Sequence, residues 1–191
     1  YYPNQNTGSI IWQPRAELVN YLSSTNKEGD YFFIDGETWN INHSLQYQLS
    51  PSTKLQVTLP WISHSGGTSD RFIYHFHDTF KLPQNGRTLS QNNRLKWLLY
   101  SDNKQVLDYD SSSSGIGDIL LKLNWSPYLL SNLAAPSIQV STLIKLPTGD
   151  FEKQTGSGKM DIGLSVIQIN PEWFKQRTFL SEKSLSFWYG T

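Results

Sequence analysis

The run from Thr38 to Ile62, TWNINHSLQYQLSPSTKLQVTLPWI, decides the fold. Trp39, Ile41, His43, Leu45, Tyr47 and Leu49 alternate with Thr38, Asn40, Asn42, Ser44, Gln46 and Gln48. Side chains that change character at every second residue describe a β-strand with unlike faces. Ser50-Pro51-Ser52 is a tight turn. After it Leu55, Val57, Leu59 and Trp61 oppose Lys54, Gln56 and Thr58. The pair reads as a hairpin with one apolar face, aromatic toward its ends, and one polar face almost free of charge.

The same pattern continues outward in both directions. Tyr1 to Gly8 is polar and reads as poorly ordered. From Ile11, Trp12, Pro14, Ala16 and Leu18 share one face and Gln13, Arg15 and Glu17 the other, with Pro14 weakening the strand's centre. Ser23 to Asp35 (SSTNKEGDYFFID) reads as a loop. Downstream, strands are expected around Leu95–Leu99, Gln105–Asp110, Ile119–Trp125, Ile138–Leu146, Met160–Val166 and Phe179–Tyr189. They are joined at Asp102-Asn103, at Ser111–Ser114, near Pro127–Pro136, across Pro147–Gly158 and around Pro171–Arg177. About nine strands in an up-and-down meander result. Shorter turns alternate with longer polar loops. Together with aromatics at strand ends and a polar second face, this predicts an all-β, up-and-down antiparallel transmembrane β-barrel spanning 1–191 as one domain. A soluble, lipocalin-like barrel with the faces reversed has the same periodicity. In the membrane reading Arg15, Glu17, Lys54, Arg94, Lys96, Asp118, Lys122, Lys145 and Asp161 face the lumen. Both signs occur, as in a narrow, ion-paired interior rather than a strongly selective pore.

One stretch breaks the period. Leu59 to Arg87 reads LPWISHSGGTSDRFIYHFHDTFKLPQNGR. The Ser/Gly run from Ser63 opens a long extracellular loop, 63–91. Thr68, Ser69 and Asp70 offer an N-cap and an acidic first turn. Phe72, Ile73, Phe76 and Phe80 recur at helical spacing, opposite Arg71, Tyr74, His77, Asp78 and Lys81, and Pro83 with Asn85-Gly86 ends the helix. Loops of this length on rigid scaffolds tend to carry function. His64, Ser65, Phe72, Phe76, His77, Asp78 and Arg87 are therefore the expected gating or ligand-contacting residues. The apolar helix face suits a lumen plug, a cover over the barrel mouth, or an anchor at the membrane interface.

Catalysis and metal binding are not expected. Ser65 beside His64 lacks the strained Gly-x-Ser-x-Gly turn of a nucleophile elbow, although a barrel-borne lipid hydrolase using Ser65 and a histidine is conceivable. His75 and His77 diverge by about 200° on a helix and cannot share a metal there, while Arg71, His75 and Asp78 fall in a row suited to pairing. Gly115-Ile116-Gly117-Asp118 precedes a strand, so it is no nucleotide fingerprint. Thr148-Gly149-Asp150 and Gly156-Ser157-Gly158 read as turn geometry.

The run Leu59–Gly67, with Phe76-His77-Asp78 and Leu82–Arg87, resembles domain of unknown function 3187, a Gram-negative family regarded as an outer-membrane barrel. Asp35–Thr38, Ser114–Asp118, Lys145–Asp150 and Gly156–Gly158 resemble further family positions. The last blocks are also similar to outer-membrane channels proposed to pass small hydrophobic compounds, including proteins encoded with phenol-degradation pathways. The resemblance covers nearly the whole chain. Where the family usually has Gly-Phe-Leu-Asp-Gly, this chain has Gly67-Thr68-Ser69-Asp70-Arg71. Family chains are longer, so an incomplete barrel, truncated at the C-terminus, is expected. The resemblance implies the outer membrane of a Gram-negative bacterium, contact with its lipid and lipopolysaccharide, and a passive channel or binding protein for small hydrophobic molecules. The alternative is a structural component docking other envelope proteins.

Composition narrows the classes further. Of 191 residues 37% are hydrophobic and 14% aromatic, including seven Trp and ten Tyr. That is a thin supply for an ordinary core. No apolar run is long enough for a transmembrane helix. Net charge is zero, which leaves no nucleic-acid footprint. With no cysteine there is no disulfide or thiolate chemistry, and no cofactor is implied.

Overall fold

A computed structural model describes residues 6–87, 90–126, 137–169 and 183–190. Residues 1–5 and the connections expected near Pro127–Pro136 and Pro171–Arg177 lie outside these. The described strands are β1 (Ile10–Lys27), β2 (Asp30–Ser50), β3 (Thr53–Ser65), β4 (Lys96–Ser101), β5 (Lys104–Tyr109), β6 (Ser113–Ile116), β7 (Ile119–Trp125), β8 (Ser137–Leu146), β9 (Asp161–Ile169) and β10 (Lys183–Gly190). They form one curled, open antiparallel sheet, with helix α1 (Asp70–Thr79) between β3 and β4.

β1 and β2 pair without interruption from Ile10↔Tyr47 to Lys27↔Asp30. Ser23–Asp35 is therefore strand rather than the expected loop. The reversal needs only Glu28 and Gly29, both at positive φ (28° and 96°), and Ser, Thr and Asn are admitted to the strands once their backbone groups have cross-strand partners. Pro14 sits in β1, whose only strand partner among the described residues is β2, where its missing N–H costs no ladder bond.

β2 is longer than β3, and its second edge is shared. β3 pairs with Glu37–Ser50, and β4 pairs with Tyr31–Asp35. The β4–β5 hairpin thus extends the protruding end of β2 instead of adding two staves between β3 and β7, as a simple meander requires. Beyond β3 the sheet continues through β7, β8, β9 and β10, while β6 occupies the upper edge of β3. The registers of β6 and β7 against β3 differ by one residue, a bulge at Gly117-Asp118. Gly117 N–H donates to the Pro60 carbonyl at 2.9 Å, and a Cβ on Gly117 would come within 2.9 Å of Pro60 Cγ. A larger residue there would have to push aside the Pro60 ring or the Ile62 side chain.

Burial is inverted relative to a water-soluble core. Leu95 is the one buried hydrophobic side chain among the described residues, whereas Gln46, Gln48, Thr58, His64 and Ser141 are all buried. On the opposite face Leu45 is 52% exposed and Trp125 49% exposed, with Trp12, Trp39, Leu59, Trp61, Ile162 and Leu164 similarly open. The curl places the polar face inside, where short cross-strand bonds tie it together. Ser44 bonds Thr58 at 2.7 Å, Gln46 donates to Gln13 at 2.6 Å, and Ser141 donates to Asn124 at 2.7 Å.

Candidate functional site

The chemistry-bearing residues gather at the end of the sheet where β1 turns into β2, and they divide between its two faces. Strand alternation makes the division: His64 and Ser65, neighbours in β3, point to opposite sides. On the inner face the His64 ring nitrogens bond Thr38 Oγ1 at 2.8 Å and the Gln154 carbonyl at 3.0 Å. Its ring meets Trp97 edge-on at 4.8 Å, and Trp97 lies 5.1 Å from Tyr109. Trp97 Nε1 donates to the Tyr21 hydroxyl at 3.0 Å, which bonds Thr38 in turn. On the outer face Ser65 Oγ accepts from Gly67 N–H. The serine is a loop fastener, and the two side chains do not form a nucleophile–base pair.

The loop 147–158 closes over this inner cluster. Asp118, displaced inward by the bulge, accepts from Gly149 N at 3.0 Å, Ser157 N at 2.9 Å and Ser157 Oγ at 3.0 Å, with Lys145 Nζ at 3.8 Å. Thr148 Oγ1 donates to the Gly117 carbonyl at 2.8 Å. Gly149 and Gly156 stack backbone to backbone, since a Cβ on either would lie 2.6 Å from the other's Cα. Asp150 accepts from the N–H groups of Glu152 and Lys153. The Lys153 amide bond, then the Glu152 amide and the Lys153 charge, hold the Asp150 carboxyl below its ordinary pKa despite some desolvation. The Lys153 carbonyl accepts from Tyr109 Oη and Ser113 Oγ. The blocks Gly115–Asp118, Thr148–Asp150 and Gly156–Gly158, distant in sequence, are thus one assembly. Tyr21, Trp97, Tyr109, Gln154 and Thr155 belong to this end too and were not expected from sequence. The one usable signal was the pair of Gly-bracketed blocks flanking an acidic loop.

On the outer face the helix-bearing loop folds back on β1 and β2. α1 covers Asp70–Thr79, close to the expected span, but Ser69 makes no side-chain cap bond. The buried carboxylate of Asp70 serves instead as a tether. It accepts from Asn20 Nδ2 at 3.0 Å, from Arg87 at 3.1 Å and from Asn93 N at 2.7 Å, while Arg87 also donates to Asn20 Oδ1. Ser69 N–H donates to buried Glu37 at 3.3 Å, and Gly67 lies directly on the Glu37 side chain. Ser90 Oγ donates to Asp35, whose pKa burial raises above the ordinary range against the pull of that hydroxyl. The helix ends one turn before Pro83. Lys81 takes a left-handed backbone (φ 57°), and Leu82 N–H returns to the His77 carbonyl at 2.8 Å. His77 Nδ1 bonds the Pro83 carbonyl at 2.8 Å, so His77 clasps the loop's return. Phe72, Phe76, Asp78 and Phe80 are exposed. Arg71, His75 and Asp78 are exposed as well, and none of the ion pairs among the described residues joins them.

Of the residues expected in a lumen, Arg15, Glu17, Lys54, Lys122, Lys145 and Asp161 share the polar face by register, and Asp118 reaches it through the bulge. Arg15 pairs with Glu17, and Lys145 with Asp161. Arg94 and Lys96 do not join them. Lys96 pairs with Asp108 and Asp110, and the Arg94 guanidinium stacks 4.7 Å from the Phe33 ring centroid, on the side that carries Asp35. The hairpin hangs on the overhang of β2, where Trp97 takes the inner side and its neighbours the outer. Among the described residues no three His, Asp or Glu side chains converge as a metal site. No curated protein and no solved structure matches the chain. Residues 4–191 match the family described as protein of unknown function (DUF3187), and the chain belongs to that family.

Proposed function

We propose that this protein is an outer-membrane β-barrel protein that passes or binds small molecules through a polar interior narrowed by the loop 147–158. The observation that carries this reading is the inverted burial: exposed Trp, Leu and Ile on one face, buried Gln, Ser and Thr on the other. In water that arrangement wastes the apolar surface; in lipid it is the stable one. The aromatic levels support it. Trp39 and Trp61 lie near one end of the outer face, and Tyr47 and Trp125 near the other. Trp39 and Tyr47 are separated by eight residues, about 26 Å of strand. At barrel tilts this becomes roughly 20 Å of height, close to an apolar band with two aromatic girdles. The spanning part of β2 is then 39–47, with the site beyond it on the long-loop side. A sheet in lipid cannot leave edges, so β1 and β10 acquire partners there.

The aromatic cluster of Trp97, Tyr109 and His64 beside a polar wall favours small ligands with an apolar, ring-like portion. The test is to fold the full chain in detergent, follow its gel migration before and after boiling, and measure uptake of small phenols by protein-loaded vesicles. Heat-modifiable migration with faster uptake supports the proposal. A protein soluble without detergent overturns the barrel, and a folded barrel that neither conducts nor binds overturns the transport role.

A further inference from the structure

We infer that α1 is an external anchor that lies in the outer-leaflet interface, with Phe72, Phe76 and Phe80 inserted among lipid headgroups and upper acyl chains. This rests on the barrel reading above and refines it, because a helix in this loop was equally suited to plug the lumen. Its position follows from strand parity. Asn20 and Glu37, which hold Asp70 and Ser69, lie on the face of β1 and β2 that carries Leu18 and Trp39. Tyr21, Thr38 and His64 occupy the opposite face. The loop is therefore fastened outside the curl, one strand repeat beyond Trp39.

Three features make lipid the fitting occupant. Phe72 is 71% exposed and Phe80 62% exposed, although Phe72–Phe76 and Phe76–Phe80 ring centroids lie only 6.2 and 4.7 Å apart. The three rings form one apolar ridge that stays largely open among the described residues. The tether that holds the helix start, at Asn20 and Glu37, lies one strand repeat past exposed Trp39 on the same face, at the level where a membrane passes from hydrocarbon to headgroups. The reverse side of the helix is polar, with Arg71 and Asp78 exposed, as in helices that lie in the plane of an interface. The tether through Asp70 and Arg87 fixes the helix at that height.

These 191 residues contain no cysteine, so a single introduced one carries the spin label at a defined site of this chain. Phe72→Cys, Asp78→Cys and Leu45→Cys are labelled and folded into phosphatidylethanolamine–phosphatidylglycerol vesicles. Collisions with oxygen, which partitions into lipid, are compared with those of a water-soluble nickel chelate. The expected result is that oxygen dominates at position 72, the chelate dominates at 78, and position 45 reads deeper in lipid than 72. A label at 45 in lipid with 72 as open to chelate as 78 overturns the anchor and leaves the barrel. A label at 72 shielded from both probes also overturns it, because a protein surface then covers the ridge. A label at 45 in water removes the barrel itself.

Discussion

Replacing Asp118 by Ala should release the loop 147–158 without unfolding the sheet. The carboxylate takes three hydrogen bonds, from Gly149 N, Ser157 N and Ser157 Oγ, and its side chain is only 9% exposed. Hydrogen bonds to a charged group contribute about 1.5–3 kcal/mol each, and removal leaves two amide donors facing a partly closed interior. Water can enter at this end and the three bonds act as a unit, so the sum is discounted to about 3 kcal/mol for local opening. That corresponds to a rise of roughly a hundredfold in the open population. Hydrogen exchange at the amides of Gly149, Thr155 and Ser157 reads it directly, with amides of β2 as the unaffected reference. Asp118→Asn keeps one acceptor oxygen and should fall between. Exchange that stays within about threefold of the parent protein would refute the claim that Asp118 holds the loop. Faster exchange with unchanged vesicle uptake would keep the anchoring role and remove the constriction.

Three other outcomes follow from the same geometry. Val57→Arg puts a charge near the middle of the outer band and should lower barrel stability by about 2–4 kcal/mol in lipid, measured by urea unfolding in vesicles; a near-neutral effect means this face meets water. Gly156→Ala brings a Cβ within 2.5 Å of Asp118 Oδ1 and 2.6 Å of Gly149 Cα, so it should open the loop at least as far as Asp118→Ala does, with exchange again the readout. Asp150 and Asp35 have opposite acid responses. Asp150, held below its ordinary pKa, stabilises its turn above the normal carboxylate range, and this is lost as pH falls through its lowered value. Asp35, held above it, makes folding less favourable as pH rises from the ordinary value through the raised one. Asp35→Asn should therefore hold the Ser90 segment as tightly or more tightly at neutral pH. Greater protease sensitivity near Ser90 in that variant contradicts the assignment.

The sequence by itself determined the strand character and the relative faces of β1, β2, β3, β7, β8 and β9, because alternation is a local property of each strand. It also determined the helix at Asp70–Thr79, whose spacing of Phe72, Ile73, Phe76 and Phe80 is local as well. Ser23–Asp35 misled, since polar residues and turn formers resemble a loop until a partner strand satisfies their backbone. What only the tertiary structure decided is which face of one strand meets which face of another. The bulge at Gly117-Asp118 shifts the register by one residue and delivers Asp118 to the loop 147–158. The overhang of β2 captures β4 and β5, which turns Arg94 and Lys96 away from the polar interior. The tether from Asp70 to Asn20 and Arg87, spanning residues 20 to 87, sets the helix outside the curl. Periodicity carries no information about such contacts, because each depends on side chains brought together only after the sheet has paired.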